Sequence, residues 1–354
     1  MDLPIVAPLE PMLATLAREL PTGELIYEPK WDGFRCLLFR DGDDLLLQSR
    51  SKKPLERYFP ELPEALKALL PDRIVLDGEL VVPVDDGLDF DALSNRIHPA
   101  ASRIELLAEQ TPARFVAFDL LAIDDTSLLD TPFVTRRERL TQVLADTEPP
   151  LHLTPATRDP ATAADWFTRF EGAGLDGVMA KPADQHYAPG RRTLLKVKQR
   201  RTADVAVAGF RWHKDGEGVG SLLLGLYDDD RLVNVGVASS FSAARRRELI
   251  DELATHRVEP GAAIDHPWLD DEGEGSEATP RGKHRWSGQR DTSWEPLQLG
   301  LVAEVAYEQL TGDRFRHSAR FERWRPDREV MSCRFDQLEV PPPAELATVF
   351  AAHG

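Results

Sequence analysis

Lys30-Trp31-Asp32-Gly33-Phe34-Arg35 stands between two short apolar runs, Leu25-Ile26-Tyr27 and Cys36-Leu37-Leu38-Phe39. A lysine fixed between strand-like segments is badly placed for ordinary surface duty and reads as a nucleophile. An ε-amino group attacks phosphorus only as the neutral amine, a form favoured by a pocket of low polarity or a neighbouring cation. Asp32 could orient the lysine or accept from nearby amides, and Gly33 permits a turn and a close approach of backbone to a ligand. The pattern also suits a polar hairpin, so its meaning depends on its company.

That company is four more patterns, each with a charge beside an apolar run: Asp77-Gly78-Glu79-Leu80, Phe118-Asp119-Leu120-Leu121, Asp176-Gly177-Val178-Met179-Ala180-Lys181 and Leu194-Leu195-Lys196-Val197-Lys198. Glu79, read as following Ile74-Val75-Leu76 across a turn, is either a solvated hairpin acid or a carboxylate that accepts from sugar hydroxyls or joins a magnesium site. Phe118 is either core or an aromatic plate for a purine ring. Lys196 and Lys198 share one face if their segment is a strand, which makes them a phosphate grip or an ordinary solvent face. Near the end, Arg314, Arg316, Arg320, Arg323, Arg325 and Arg328 crowd together with Phe315, Phe321 and Trp324 interleaved. Arginine's planar fork takes phosphate oxygens in pairs, so this segment suits phosphate or nucleic-acid contact.

The elements that must position these groups are short. Strands are expected at 34–39, 45–48, 74–82 and 114–121, and helices at 58–70, 136–145 and 161–173. Turn signals at Asp41-Gly42 and Asp77-Gly78 join strands directly and favour an antiparallel or mixed sheet. After Lys198 the texture changes to short strands in hairpin order, with a Gly-rich turn at 216–220 and one helix near 242–256, as in a small barrel. Residues 269–291 read as a long exposed loop, and a Pro-rich tail begins near Pro341. The expectation is an α+β chain in two domains, 1–199 and 200–354, with a hinge near 199–203.

Composition narrows the classes. The 354 residues fit two domains, and 42% hydrophobic with 29% charged residues is the balance of a soluble globular protein. No apolar segment approaches membrane-spanning length, and the start lacks a basic stretch followed by an apolar run, so a cytoplasmic location is expected. Two cysteines, Cys36 and Cys333, exclude a disulfide framework and a four-thiolate zinc site. A net charge of −17 argues against non-specific coating of nucleic acid, though not against a local basic face. With 34 Arg against 9 Lys, lysines in patterned positions stand out.

In order and spacing these motifs, from Pro11-Met12-Leu13-Ala14 to Arg325-Pro326-Asp327, resemble the covalent nucleotidyltransferases, specifically the small bacterial ATP-dependent DNA ligases of the stand-alone ligase C type and the ligase module of end-joining enzymes. The resemblance implies an adenylation domain with an antiparallel or mixed sheet, followed by an OB-fold β-barrel. It implies that Lys30 becomes linked to AMP, with Asp32 beside it, that Glu28 contacts the adenine edge and that Phe118 stacks on the ring. Arg35 and Glu79 would contact the ribose, and Arg50 the ribose or the nick phosphate. Lys196 and Lys198 would hold the α-phosphate, and Arg323, Arg325 and Asp327 would orient pyrophosphate. Glu79 and Asp176 would serve the metal, Mg²⁺ or Mn²⁺, although Asp176 stands where the family usually carries glutamate, and Arg328 where it often carries lysine.

Arg35, Arg50, Lys52 and Lys53 are expected on a face for nicked or broken duplex DNA. The enzyme would act as a monomer, associated with the nucleoid when bound. With no long segment before Pro11 to encircle a duplex, a partner such as Ku would support end joining. The competing families are an mRNA-capping guanylyltransferase, an NAD-dependent DNA ligase and a non-catalytic nucleic-acid-binding module derived from a ligase. Phe118-Asp119-Leu120-Leu121 and the Asp176 motif resemble ligases more closely than capping enzymes. A zinc module of the NAD-dependent kind lacks its cysteines here, and a binding module has no need of the nucleophile, acids and paired lysines.

Overall fold

A computed structural model describes residues 1–258, 266–269, 293–339 and 344–352; the loop expected at 269–291 lies almost wholly outside them. The chain forms two compact units, Met1–Lys198 together with Pro341–Gly354, and Gln199–Val340. The change of unit falls where the texture of the sequence changes. The C-terminal segment, assigned from sequence to the second domain, belongs instead to the first.

Two sheets build the first unit. One runs in the order β1 (Leu13–Leu16), β9 (Arg192–Val197), β8 (Val178–Pro182), β2 (Leu25–Pro29), and only its β1–β9 pair is parallel. The other runs β7 (Leu151–Leu153), β6 (Arg114–Ile123), β5 (Arg73–Val81), β3 (Phe34–Asp41), β4 (Asp44–Ser49), with a two-residue strand also on β6. The β3–β4 hairpin closes through Gly42 at φ +61°, as the sequence signal required. Asp77-Gly78 is not a turn. It lies mid-strand in β5, whose residues run from Arg73 to Val81 without a break and are nearly all buried. A side chain at Gly78 would strike Phe115 and the Val116 carbonyl, with Cβ contacts of 2.5 and 2.6 Å, so this glycine serves close strand packing.

Register supplies one further device. Asp77 pairs with Asp119 and Gly78 with Ala117, so Phe118 is the extra residue of a bulge in β6. Bulges re-aim side chains, and this one turns Phe118 out of the apolar run Phe115–Ala122.

Helices cover these sheets where apolar spacing and caps agree. In α5 (Pro160–Arg169), Asp159 accepts from the Ala161 and Thr162 amides, Pro160 starts the first turn, and Ala163 and Trp166 are buried. The expected 161–173 helix is thus α5 continued by a 3₁₀ turn, Phe170–Ala173, that stops at Gly174 with φ +84°. The expected 58–70 helix is shorter, α1 (Leu62–Leu69), preceded by a separate 3₁₀ turn at Glu56–Tyr58, and α2 (Phe90–Asn95) and α3 (Ala101–Gln110) follow β5. Helix α4 (Phe133–Val143) is fastened to β6 by the buried Arg136, which donates twice to Asp119 at 2.8 and 2.9 Å. The short C-terminal helix α7 (Leu346–Phe350) buries Leu346 and Val349 in the core that holds Tyr27, Trp31 and Trp166. At about 1.5–3 kcal/mol for each such side chain, that burial is enough to fix a five-residue helix in place.

The second unit is an antiparallel sheet in the order β12 (Arg231–Ala238), β11 (Val219–Asp228), β10 (Arg201–Trp212), β13 (Val302–Tyr307), β14 (Arg320–Trp324), with α6 (Ala243–Leu253) following β12. The expected barrel is not closed by a ladder among the described residues. Its edges meet at a single parallel bridge, Ala238–Ala319, beside β14. That is the arrangement of a partly open five-stranded barrel of the OB kind.

Candidate active site

A cavity of about 200 Å³ opens in the first unit, lined from both sheets. Cross-strand pairing writes its polar row: Glu28 on β2 lies opposite Met179 on β8, and Met179 opposite Lys196 on β9. Two-residue alternation then brings Lys181 and Arg192 to the same cavity. From the other sheet come Arg35, Glu79 and the bulged Phe118.

Lys30 follows directly after β2, where its position is set by backbone. Its N–H donates to the Gly177 carbonyl at 2.8 Å, and its own carbonyl accepts from the Asp176 N–H at 2.9 Å. Gly177 has φ +118°, and a Cβ there would lie 2.0 Å from the Val197 carbonyl oxygen. These two bonds bring the side chains together, and Lys30 Nζ donates to Asp176 Oδ2 at 2.5 Å. Lys198 Nζ reaches the same oxygen at 2.9 Å. Burial pushes the Asp176 carboxyl up, but the two ammonium groups outweigh it and hold it below the usual carboxylate range. Lys196 and Lys198 therefore part company, one on the cavity wall and one on the carboxylate beside Lys30.

Arg35 is held by a bidentate pair with Asp77, at 2.5 and 2.6 Å, and lies 4.5 Å from the Phe118 ring centroid. Tyr187 Oη donates to Asp77 at 2.7 Å, so this fully buried carboxylate has three donors. Burial works against the Arg35 charge, yet Asp77 keeps its pKa above the ordinary value. Arg35 thus sits inside the cavity over the aromatic plate, away from the exposed Lys52 and Lys53. Glu79 is its cross-strand neighbour. Burial raises the Glu79 carboxyl to about 7 against the opposing charges of Arg35 and Lys30.

Glu28 is buried and pairs with Lys181 at 2.6 Å through Oε2. Its Oε1 faces Arg137 Nη1 at 3.6 Å, and neither atom has a hydrogen-bond partner. An acidic acceptor with unused capacity beside a cavity is suited to an amino group on a ligand. Lys181, given no role by the sequence reading, links two walls: it donates to the Phe118 carbonyl at 3.3 Å and lies 4.7 Å from that ring. Strand alternation from Met179 was the signal available for it. Arg192, which also lines the cavity, carried no motif.

The remaining predicted residues divide. Arg50 is exposed and reaches the cavity. Lys52 takes φ 65° in the turn after β4 and pairs with Glu10 at 2.6 Å, while Lys53 is exposed on the same turn. Asp32 is half-buried beside Lys30. Arg323, Arg325 and Asp327 lie in the second unit around one acidic cluster: Arg325 donates to Asp204 at 3.0 Å and Asp327 at 2.8 Å, and Arg323 to Glu304 at 2.6 Å. In unit one the structure assembles Lys30, Glu28, Arg35, Arg50, Glu79, Phe118 and Lys196 at one cavity, with Asp176 paired to Lys30.

Such a pocket, with a lysine amine beside an aromatic plate, an unspent acceptor and several cations, suits covalent capture of a purine nucleotide at phosphorus. Comparisons with known proteins give the family. A family described as "ATP dependent DNA ligase domain" matches residues 6–198, and one described as "ATP dependent DNA ligase C terminal region" matches residues 215–328. The chain is 52% identical to DNA ligase C2 of Mycolicibacterium smegmatis, over 98% of this chain and 99% of that one. It is 48% identical to DNA ligase C of Mycobacterium tuberculosis, over 99% of each. A solved structure of a Lig E DNA ligase is 18% identical with a TM-score of 0.55, covers 89% of this chain and 99% of that one, and shares the fold. On its own residues and on these likenesses, the chain belongs to the ATP-dependent DNA ligases.

Proposed function

We propose that the enzyme joins breaks in duplex DNA by three displacements at phosphorus, with Lys30 as the first nucleophile. The observation that carries this reading is the Lys30–Asp176–Lys198 contact at the edge of the cavity. Lys30 attacks the α-phosphorus of ATP, pyrophosphate leaves, and a phosphoramidate to AMP forms. The 5′-phosphate at the break then displaces Lys30, and the 3′-hydroxyl in turn expels AMP. Asp176 aims Nζ, Lys196 offsets charge on the α-phosphate, and Lys198, through Asp176, keeps a second cation close to the reacting group. Arg323, Arg325 and Asp327 orient pyrophosphate.

Glu28 selects adenine, because its carboxylate accepts from the exocyclic amino group at C6 and repels the carbonyl oxygen that guanine carries there. Phe118 gives the ring its apolar face, and Arg35 and Glu79 address the ribose. The donor set also fits magnesium delivered with the nucleotide. The described residues contain no cluster of three His, Cys or acidic groups that could cage a cation, and Mg²⁺ takes only one or two carboxylates plus phosphate oxygens and water. Asp176 and Glu79 would supply those carboxylates, Mn²⁺ would substitute, and the ion would neutralise charge on the phosphates.

Arg50, Lys52 and Lys53 form the DNA face, with nicked or broken duplex as the substrate. In a chain of net charge −17 a face this small gives weak, salt-sensitive binding, so an end-binding partner such as Ku would assist end joining. No helix among the described residues is long and apolar enough to cross a membrane, and we place the enzyme in the cytoplasm as a monomer.

The test uses protein first stripped of AMP with pyrophosphate. Incubation with α-labelled ATP or GTP, wild type beside Lys30→Ala, followed by a nicked-duplex chase, should label the wild type from ATP alone and release the label as DNA is sealed. Label on Lys30→Ala would move the nucleophile elsewhere, and label from GTP would remove Glu28 as the selecting group.

A further inference from the structure

The residue after the nucleophile, Trp31, is buried and lines the same cavity. One edge of its indole is fixed by a hydrogen bond from Nε1 to Thr154 Oγ1 at 2.8 Å. Its flat face meets Phe350, at the far end of the chain in the C-terminal helix Leu346–Phe350, with ring centroids 5.1 Å apart and planes within 21°. Phe350 also stacks on His152 at 3.9 Å and 19°. The helix is held independently of these rings by the buried Leu346 and Val349 and by a 2.7 Å bond from the Leu346 N–H to the Asp86 carbonyl.

We propose that Phe350 is a positioning residue for formation of the lysyl-AMP bond. It acts through Trp31, which has one covalent neighbour on the nucleophile side and no freedom to rotate once its N–H and its face are both engaged. The same contact reaches the base-reading side. Thr154, which accepts from Trp31, offers its carbonyl to Arg137 Nη2 at 2.5 Å, and Arg137 faces Glu28. A segment that follows the second unit in sequence thus returns to the first unit and stiffens the wall from which Lys30 projects. Loss of the ring leaves the helix docked through Leu346 and Val349 but frees Trp31. The predicted defect is in the first displacement, because Lys30 forms a bond only there, whereas joining of a DNA end that already carries AMP makes no bond to it.

The inference rests on Lys30 as the adenylated residue. The full-length wild type, Phe350→Ala, Phe350→Tyr and Lys30→Ala, all freed of AMP with pyrophosphate, would be compared for the rate and KM of labelling by α-labelled ATP and for sealing of a pre-adenylated nick without ATP. Thermal melting would accompany each. Phe350→Ala should label about tenfold more slowly at saturating ATP, the scale of a misplaced reacting group, and seal the pre-adenylated nick at the wild-type rate. Phe350→Tyr, which keeps the stack, should restore labelling. Unchanged labelling in Phe350→Ala, an equal loss in both reactions, or no rescue by Phe350→Tyr would overturn the proposal. Labelling of Lys30→Ala would instead overturn the reading beneath it.

Discussion

Two clusters of charge in this molecule, around Lys30 and around Arg325, are built on different plans. Around Lys30 the acids are buried, with Asp77, Glu28 and Asp176 exposed by 0, 2 and 8%, and each one aims a cation at the edge of a cavity. Around Arg325 burial is mixed: the Arg325, Asp204 and Glu304 side chains are 19, 14 and 19% exposed, those of Arg323 and Asp327 64 and 61%, and arginine and carboxylate neutralise each other within the motif. Hydrogen bonds from Arg325 lower the Asp327 carboxyl to about 2. The first plan fixes the geometry of Lys30 and Arg35 in advance, as the proposed nucleophile would need. The second leaves its outer arginine and carboxylate where water and an incoming anion can displace their pairing, as the proposed pyrophosphate contact would require.

The comparison would break most clearly at Asp176. Asp176→Ala leaves two lysines without their shared acceptor in a partly buried site, and should lower labelling by ATP by about 10³-fold and stability by about 3 kcal/mol. Asp176→Glu keeps both ion pairs but moves the carboxylate by about 1 Å, so labelling should fall by at most about 10²-fold, less than in Asp176→Ala. Kinetics and urea denaturation of both variants check this. An Asp176→Ala protein that labels normally would show that Lys30 is aimed by backbone alone.

Gly33 tests the same rigidity through packing. A Cβ there would lie 2.1 Å from the Leu80 carbonyl oxygen, against nothing within 4 Å at Gly42. Gly33→Ala should therefore cost about 3 kcal/mol, and Gly42→Ala about 1 kcal/mol from its positive φ alone. Equal losses in thermal melts would mean that β5 yields, and that the wall behind Arg35 and Glu79 is softer than its register implies.

Arg325→Ala should separate the plans further. Because Asp204 and Glu304 keep Arg328 and Arg323 as other cationic partners, melting should change little, while labelling by ATP falls about 10²-fold through loss of a phosphate contact. Sealing of a pre-adenylated nick, which releases no pyrophosphate, should be spared. A large drop in melting temperature would show that the Arg325 cluster is a structural staple of the second unit.

The site was more legible than the framework that holds it. Lys30, Glu79, Asp176, Lys196 and Lys198 stood out as charges set beside apolar neighbours, and although each alone suits an exposed hairpin or strand face, their order along the chain set them apart. Strand positions also came through from apolar runs, and the Asp41-Gly42 hairpin from its turn residues. Asp77-Gly78 misled because the same dipeptide serves a turn and, as here, close packing within a strand beneath Phe115. Lys181, Arg192, Trp31 and Phe350 escaped for a different reason. Their roles depend on strand register and on which unit a distant segment joins, and neither local spacing nor composition carries that information. The same holds for the bulge at Phe118, which is defined only by the partner strand.

The smallest effect concerns acid. Burial, with Arg114 nearby, lowers His152 from 6.5 to about 4. Above 6.5 the imidazole is neutral whether the protein is folded or not, and it contributes nothing to pH dependence. Between 6.5 and about 4 the unfolded chain takes up a proton that the native protein refuses, so stability falls throughout that window and levels off below it. Because the ring keeps some contact with water, the total should be on the order of 2 kcal/mol. His152→Gln removes the titrating group beside Phe350, and its denaturation midpoint should decline less steeply than that of the wild type over the same window. The second unit, to which His152 does not belong, should respond to acid identically in both proteins when followed by hydrogen exchange. If the two proteins lose stability in parallel, His152 does not carry the acid response, and the stack on Phe350 is indifferent to protons.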